Sequence, residues 1–298
     1  MTALFDNSID HKSQLWLEVA PPRGIAVESL LAKLGALRGL VDVINLADNA
    51  LGRVKMSPLV FAALLRSRYG LRIALNVSCR DRNRFALRSD LLGAAVVGVE
   101  AIVALRGDRL PADGSAGARP VNDIDPFGLL RMIADLNRGD TGEGKRLLKT
   151  LPNLLAGAVA NPNRADLARE FDLLRRKAEG GARFVITQPV FDRDTARRFA
   201  DEAHRYGLRV LIGILPVKRG SMASYMKEKI TDLQGAAAHF ERYAEMTEED
   251  ARRASLDHSL ALMDALLGEV AGFDIMSGGG PSLAIELISA WRKHQGLT

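Results

Sequence analysis

Residues 71–105 read LRIALNVSCRDRNRFALRSDLLGAAVVGVEAIVAL, and this stretch contains the pattern that decides the fold. An apolar run at 71–77 is followed by apolar residues at helical spacing, and a second apolar run at 101–105 completes the unit. Apolar runs without alternation are typical of parallel strands that are covered on both faces. The stretch therefore predicts a strand, a helix and a second parallel strand, joined by a right-handed crossover.

The same unit recurs along the chain. Six further apolar runs bring the predicted strands to eight, and they are 15–19, 41–46, 154–160, 184–187, 210–215 and 273–276. Segments with apolar residues three and four positions apart separate most of these runs and predict amphipathic helices. Eight such units are the number that closes into a barrel, so we expect an α/β protein with a single (βα)8 TIM-barrel domain over residues 1–298.

An open doubly wound sheet is the alternative architecture. It usually carries a glycine-rich fingerprint after the first strand, whereas residues 19–24 here read VAPPRG. Two polar segments, 109–125 and 138–149, are predicted to be surface loops. A further helical segment is expected at 222–250, between the seventh strand and the last long helix.

The composition is that of a globular protein, with 47% hydrophobic and 26% charged residues among 298. The net charge of +5 is spread along the chain, which favours small anionic ligands over nucleic acid. A single cysteine, Cys79, leaves no intrachain disulfide, so a reduced, cytoplasmic location is expected. The longest apolar stretch, 91–105, is interrupted by Glu100 and too short to span a membrane. The histidines are scattered, so no metal centre is predicted.

Glu18 is the first candidate catalytic residue, because reactive groups in such barrels come from the C-terminal ends of the strands. It lies in an apolar strand directly before Pro21 and Pro22. Desolvation disfavours the charged form of a carboxyl group, which makes Glu18 a candidate general acid near neutral pH. A structural ion pair with a basic residue is the alternative interpretation.

Other strand ends also carry polar residues. Asp108 follows Arg106 and Gly107, and its carboxylate either accepts hydrogen bonds from a heterocycle or caps the turn. Gln188 offers a donor and an acceptor to a flat polar ring, or else bonds a neighbouring backbone group. The glycines at 278–280, after Ser277, resemble either an anion cradle at a helix start or a flexible turn. Lys218 is a further candidate, as a Schiff-base lysine.

These residues resemble the methylenetetrahydrofolate reductases, a family of flavin-dependent barrel enzymes. Four motifs carry the resemblance in the family's order, namely Leu17-Glu18-Val19-Ala20-Pro21-Pro22, Ala104-Leu105-Arg106-Gly107-Asp108, Ile186-Thr187-Gln188-Pro189-Val190-Phe191-Asp192 and Gly213-Ile214-Leu215-Pro216-Val217. Three more are most similar to the branch that is fused to a homocysteine methyltransferase, namely Leu46-Ala47-Asp48-Asn49, Cys79-Arg80-Asp81-Arg82-Asn83 and Asn161-Pro162-Asn163.

The resemblance implies reduction of 5,10-methylenetetrahydrofolate to 5-methyltetrahydrofolate, or the reverse reaction, as part of methionine biosynthesis. Glu18 corresponds to the acid that protonates the folate bridge nitrogen, Asp108 to a carboxylate that stabilises the resulting iminium, and Gln188 to a folate contact, with Ser277 also assigned to substrate. Hydride would come from FAD, or FMN, after its reduction by NADH or NADPH.

The resemblance also implies a set of cofactor contacts, which are Asp48, Asn76, Arg106, Gly107, Asn161, Arg176 and Lys177. At two of these positions, Asn76 and Asn161 stand where the better-known branch has histidine and tyrosine. Expected partners are the folate, a nicotinamide nucleotide and either a second copy of the chain or another subunit. Two alternative functions remain open: a folate-binding homologue or subunit without its own flavin-dependent activity, and an unrelated phosphate-binding barrel lyase.

Overall fold

The computed structural model describes residues 4–5, 13–110, 117–142, 149–278 and 280–296. Eight parallel strands form a closed barrel in sequence order, each paired with the next and the last with the first. They are β1 (Gln14–Val19), β2 (Val43–Leu46), β3 (Ile73–Ser78), β4 (Ala101–Leu105), β5 (Leu155–Ala160), β6 (Phe184–Pro189), β7 (Arg209–Ile214) and β8 (Gly272–Met276). The predicted barrel is confirmed. The ends of each predicted apolar run agree with the ends of the corresponding strand to within two residues.

Helices cover the outside of the barrel. They are α1 (Glu28–Gly35), α2 (Pro58–Tyr69), α3 (Arg84–Val97), α4 (Pro126–Asn137), α5 (Leu167–Glu179), α6 (Arg193–Arg205), α7 (Gly220–Lys229), α8 (Ala237–Glu241), α9 (Glu248–Ala265) and α10 (Ser282–His294). The helical segment expected at 222–250 consists of α7, a 3-10 helix at Thr231–Ala236, α8 and the start of α9. Parts of the two predicted loops, 111–116 and 143–148, lie outside the described residues.

Successive side chains of each strand point alternately outward and into the barrel. On β1, Leu15 and Leu17 belong to the core between strands and helices, whereas Trp16 belongs to a separate cluster inside the barrel. The inner cluster also includes Val43 and Phe184, and the rings of Trp16 and Phe184 are 5.4 Å apart, edge to face. Apolar side chains therefore fill the barrel around the level of Trp16.

Polar side chains follow this apolar layer toward the C-terminal ends of the strands. Two residues beyond Trp16, Val43 and Ala74 come Glu18, Asn45 and Asn76, and β8 contributes Asp274. Since positions two apart share a face of a strand, these four polar residues also point into the barrel. The sequences of β1, β2, β3 and β8 thus set the boundary between the closed part of the barrel and its polar mouth.

Five helices begin with a side chain that accepts a hydrogen bond from the backbone of the first turn. These caps are Asn83, Asp125, Asp166, Asp192 and Thr247. Capping satisfies otherwise unpaired N–H groups and fixes where each helix begins. In the described part of the chain, no helix is both long and apolar enough to cross a membrane.

Candidate active site

Glu18 lies at the mouth of the barrel and keeps part of its surface accessible to water. Its carboxyl group has no hydrogen bond or ion pair to any described residue. Burial, and then the negative charge of Asp108, raise the pKa of Glu18 from 4.5 to about 7. The alternative of a structural ion pair is therefore not what the structure shows. A carboxyl group with this pKa can donate a proton at neutral pH.

Asp108 follows β4 in a turn that requires glycine. Gly107 has a φ of +90°, and a Cβ atom there would lie 2.2 Å from the Oγ atom of Ser78. Asp108 is exposed, and its Oδ2 accepts a hydrogen bond of 2.5 Å from the backbone N–H of Leu51. The turn thereby holds the Asp108 carboxylate close enough to influence Glu18, as expected for two groups of one site.

Arg80 holds the loops after β2 and β4 together, a role that the sequence did not reveal. It is buried, and its guanidinium forms two hydrogen bonds to the carboxylate of Asp81, of 2.5 and 2.7 Å. The same group donates to the backbone carbonyl of Asp108 at 2.8 Å and to that of Asn49 at 3.4 Å. A planar guanidinium suits such multiple contacts. Arg80 therefore positions the segment that carries Asp108.

Asp48, a predicted cofactor contact, is buried and bound within the chain. Its Oδ2 accepts a hydrogen bond from the Ser78 backbone N–H at 2.8 Å and another from the Arg82 guanidinium. Burial raises the pKa of Asp48, and the positive charge of Arg82 opposes that rise. Arg106, another predicted contact, is exposed beside Gly107.

A chain of hydrogen bonds crosses the inside of the barrel next to Glu18. Asn76 donates to the side-chain oxygen of Asn45 at 2.9 Å and to the carbonyl of Leu46 at 3.1 Å. Asn45 in turn donates to Oδ2 of Asp274 at 3.2 Å. Burial, followed by the charge of Glu18, raises the pKa of Asp274 well above its usual value. Asn45 and Asp274 were not predicted, although an aspartate within an apolar strand was a visible signal.

The ends of β5 and β6 bring two further predicted residues to this face. Asn161 is buried, its backbone N–H donates to Glu170 at 3.1 Å, and its side-chain oxygen accepts from Asn163 at 2.9 Å. Gln188 lies where the pairing of β6 with β7 becomes irregular. It is partly exposed and makes no side-chain hydrogen bond to a described residue, so its amide is available to a ligand.

The two basic residues of α5 have different surroundings. Lys177 is buried, and its Nζ donates to the carbonyl of Val159 at 2.9 Å and to Glu170 at 3.4 Å. Burial lowers the pKa of Lys177, although the charge of Glu170 acts in the opposite direction. Arg176 is exposed, with its guanidinium 4.3 Å from the ring centre of Phe127. Of this pair, only Arg176 presents its charge to solvent.

The end of β8 and the loop after β7 carry the remaining candidates. Ser277 is partly exposed, and its carbonyl accepts a hydrogen bond of 2.8 Å from the N–H of Gly280. Gly279, in the middle of the proposed anion cradle, lies outside the described residues. Lys218 is exposed, with Nζ 3.3 Å from a carboxylate oxygen of Glu248. Schiff-base lysines are usually desolvated in a pocket, and Lys218 is not.

The described residues also form a cleft of about 810 Å3 outside the barrel, along α4. It is lined by charged residues of both signs, including Arg84, Arg131 and Asp123. The cleft contains none of the predicted site residues. In the part of the chain with described coordinates, no three histidine, cysteine, aspartate or glutamate side chains are placed to hold a metal ion.

Comparison with known proteins gives a consistent result. Residues 4–270 match the family model described as methylenetetrahydrofolate reductase. The 5,10-methylenetetrahydrofolate reductase of Salmonella typhimurium is 30% identical over 161 residues, which are 53% of this chain and 49% of that protein. That of Pectobacterium carotovorum is 28% identical over 206 residues, 67% of this chain and 63% of that protein. The chain thus matches about half to two thirds of the length of these relatives.

Solved structures share the architecture. A protein of Clostridium thermocellum, described as uncharacterized and as binding two copies of 5-methyl-5,6,7,8-tetrahydrofolic acid, superimposes with a TM-score of 0.59. The alignment covers 96% of this chain and 95% of that one at 15% identity. A structure described as Yersinia pestis DHPS with a pterine-sulfa conjugate gives a TM-score of 0.51 at 12% identity, with 96% of both chains covered. At these identities the likeness shows the barrel fold alone.

Proposed function

Because the chain belongs to the methylenetetrahydrofolate reductase family, we propose that it reduces 5,10-methylenetetrahydrofolate to 5-methyltetrahydrofolate. The observation that carries the proposal is Glu18, an unpaired carboxyl group with a pKa of about 7 at the mouth of the barrel. Asp108 and Gln188, two of the other predicted folate residues, lie at strand ends on the same face. The Clostridium thermocellum neighbour, described as binding a reduced folate, supports a folate as ligand.

In the proposed reaction, protonated Glu18 donates its proton to the bridge nitrogen of the folate. The bond between that nitrogen and the methylene carbon breaks, and an iminium forms on the remaining nitrogen. A hydride then adds to the methylene carbon and gives the methyl group. Asp108 carries a negative charge near the developing cation and lowers its free energy. Gln188 orients the folate ring with its unpaired amide.

The source of the hydride is a separate part of the proposal. Family members suggest FAD, or FMN, reduced by NADH or NADPH. However, Oδ2 of Asp48, Nδ2 of Asn76 and Nζ of Lys177 already form hydrogen bonds within the chain, so as they stand these atoms do not fit a flavin. Arg106 and Arg176 remain exposed. We therefore assign no step to a flavin, and a nicotinamide nucleotide remains the proposed ultimate donor.

This observation favours one second candidate function. A folate-binding homologue, or a subunit that receives hydride from a partner, would keep Glu18 and Gln188 but not need a flavin site. The absorption spectrum of the purified protein separates the two possibilities. Flavin bands that bleach with NADH or NADPH and return with methylenetetrahydrofolate support the flavoenzyme, whereas a colourless protein that binds folate supports the second candidate. The exposed position of Lys218 gives no support to a phosphate-binding lyase.

The acid assignment is tested with Glu18→Gln. We expect formation of 5-methyltetrahydrofolate to fall by at least about 100-fold, since a positioned general acid contributes about that much or more. Binding of 5-methyltetrahydrofolate, followed by calorimetry, should persist. Glu179→Gln, at an exposed position of α5, is the matched control and should keep wild-type activity. Full activity of Glu18→Gln would contradict the assignment.

The cellular setting belongs to the same proposal. A folate reductase of this kind would work in the cytoplasm, in one-carbon metabolism and methionine biosynthesis, with folate and nicotinamide nucleotide as its small-molecule partners. Assembly with a second copy or another subunit is also proposed. Size-exclusion chromatography with light scattering measures the assembly state directly.

A further inference from the structure

Asp274 is a buried acid that the proposed reaction does not yet use. It lies on β8 inside the barrel, is 0% exposed and pairs in strand register with Trp16. One carboxyl oxygen, Oδ2, accepts the hydrogen bond from Asn45, which is itself held by Asn76. The chain of amides therefore fixes the Asp274 carboxyl group at the base of the barrel mouth.

The other oxygen of Asp274, Oδ1, is buried and has no partner among the described residues. An ionised carboxylate in this place would have one neutral amide as its only donor, which is an expensive way to bury a charge. Burial and the charge of Glu18 accordingly raise the pKa of Asp274 well above its usual value. Burial therefore favours the neutral form of Asp274, in which an O–H group on Oδ1 is a donor without an acceptor among the described residues.

Glu18, by contrast, lacks a hydrogen-bond donor for its carboxyl group in the part of the chain that the structure describes. It lies on the strand next to β8, in register with Met276 on one side and with Asn45 on the other. Its carboxyl group has no donor among the described residues. The charge that raises the pKa of Glu18 is that of Asp108, and the charge that raises the pKa of Asp274 is that of Glu18, and both are negative. Once Glu18 has given up a proton, no residue in the described part of the chain donates a hydrogen bond to its carboxylate.

We propose that Asp274 is a positioning residue that donates a hydrogen bond from its Oδ1–H group to the Glu18 carboxylate left after proton transfer. The proposal rests on the function proposed above. The two groups are not in hydrogen-bond contact in the structure, so a rotation of the Glu18 side chain, or a bridging water, completes the contact. The pair holds two protons before the transfer and one after it, because Asp274 keeps its own.

Two substitutions test whether Asp274 donates a hydrogen bond to Glu18 or only fills space inside the barrel. Asp274→Asn keeps an acceptor for Asn45 and an N–H donor for Glu18, whereas Asp274→Leu keeps neither. The titration of Glu18 is followed in the folate-free protein by carbon-13 NMR of labelled glutamate carboxyl groups, with the signal assigned by its loss in Glu18→Gln. We expect the Asn variant to titrate like the wild type and the Leu variant to titrate about one pH unit higher.

Met276→Leu, an apolar exchange at the position in register with Glu18, is the matched control and should leave the titration unchanged. An unchanged midpoint in Asp274→Leu would show that Asp274 does not contact Glu18. A lower midpoint in both Asp274 variants would show that Asp274 is ionised. Either result overturns the proposal.

Infrared spectroscopy gives a second measurement should the Leu variant fail to fold. The measurement is made in Glu18→Gln, because Glu18 with a pKa of about 7 would itself contribute a protonated carboxyl band at neutral pH. Glu18→Gln should still show the carbonyl band of a protonated carboxyl group at neutral pH, and the further change Asp274→Asn should remove it. Absence of that band in Glu18→Gln would contradict the proposal. In the reductase assay we expect kcat of Asp274→Leu to fall about tenfold with KM unchanged, and the Asn variant to recover most of it. Since the spectroscopic tests need no folate, a protein that passes them without reductase activity would contradict the proposed function alone.

Discussion

At the scale of single residues, the carboxyl groups of Glu18 and Asp108 lie in different surroundings at the mouth of the barrel, and these surroundings suit them to different roles. Glu18 is half-buried and unpaired, so its pKa rises to about 7 and it can carry a proton at neutral pH. Asp108 is exposed and accepts a hydrogen bond from the Leu51 backbone. Two acids whose environments differ in this way are typical of a site that needs both a proton donor and a fixed negative charge.

Asp108→Asn should move the pH profile of the reaction. Burial still raises the pKa of Glu18 in this variant, but the second cause, the charge of Asp108, is gone. Because Glu18 acts in its protonated form, the rate falls as the pH rises through its pKa. We therefore expect kcat/KM of Asp108→Asn to fall at a pH that is roughly 0.5 to 1 unit lower than in the wild type. Asp123→Asn, a loop carboxylate that pairs with Arg84, is the control, and an upward shift in Asp108→Asn would refute the explanation.

The sequence predicted Glu18 because an acid within an apolar strand is conspicuous. Asp274 carries the same signal in the run 273–276, which was nevertheless interpreted only as an apolar strand. The bonds of Arg80 and Lys177 could not be predicted in this way. Each depends on which loop or carbonyl lies opposite in three dimensions, and residue type and spacing do not contain that information.

At the scale of elements, the spacing of large apolar residues does not predict α6. Residues 193–205 read RDTARRFADEAHR, so Phe199 is their one large apolar side chain. The buried stripe of α6 is completed by the alanines at 196, 200 and 203. Positions 196, 199, 200 and 203 do have helical spacing, but alanines contribute little to a hydrophobic pattern. The cap at Asp192 is the signal that would have located this helix.

The helical segment after β7 should respond to acid through His239. Its ring stacks on Phe191, with centroids 4.0 Å apart, and burial, then His258 and Arg242, lower its pKa to about 3. Tyr243 lies 3.3 Å from its Nε2 atom. His239 therefore takes up a proton near pH 6.5 in the unfolded chain but only near pH 3 in the folded chain. Because the unfolded chain binds more protons between these values, the free energy of unfolding decreases as the pH falls through this range.

We expect His239→Phe to keep the stacking and to lose this part of the pH dependence. Urea unfolding at pH 7 and pH 4.5 measures it, and the loss of stability on acidification should be smaller in the variant than in the wild type. His258, whose pKa burial also lowers, and Asp192 nearby are unchanged in both proteins. His204→Gln, at an exposed position of α6, is the control. Equal losses in all three proteins would exclude His239 as the cause.

At the scale of the whole molecule, the number of apolar runs was enough to predict that the sheet closes into a barrel. It does not predict which side chains fill the inside of that barrel. The filling depends on register, since a shift of one residue would exchange inward and outward side chains. Gly157 on β5 shows how tight the observed register is. A Cβ atom at Gly157 would lie 2.2 Å from the ring of Phe184, on the neighbouring strand. The ring occupies the space that a side chain at position 157 would need.

Gly157→Ala should therefore destabilise the entire barrel rather than one edge of it. Overpacking of a filled core costs about 1 to 3 kcal/mol in free energy of unfolding, measured by urea denaturation. Gly24→Ala is the matched control, because no atom lies within 4 Å of a Cβ there and its φ is not in the left-handed region. Adding Phe184→Leu makes room for the new methyl group, so the double variant should lose less stability than the two single losses added together. Additive losses would mean that the methyl group does not meet the Phe184 ring, and that the barrel interior is filled in a different register.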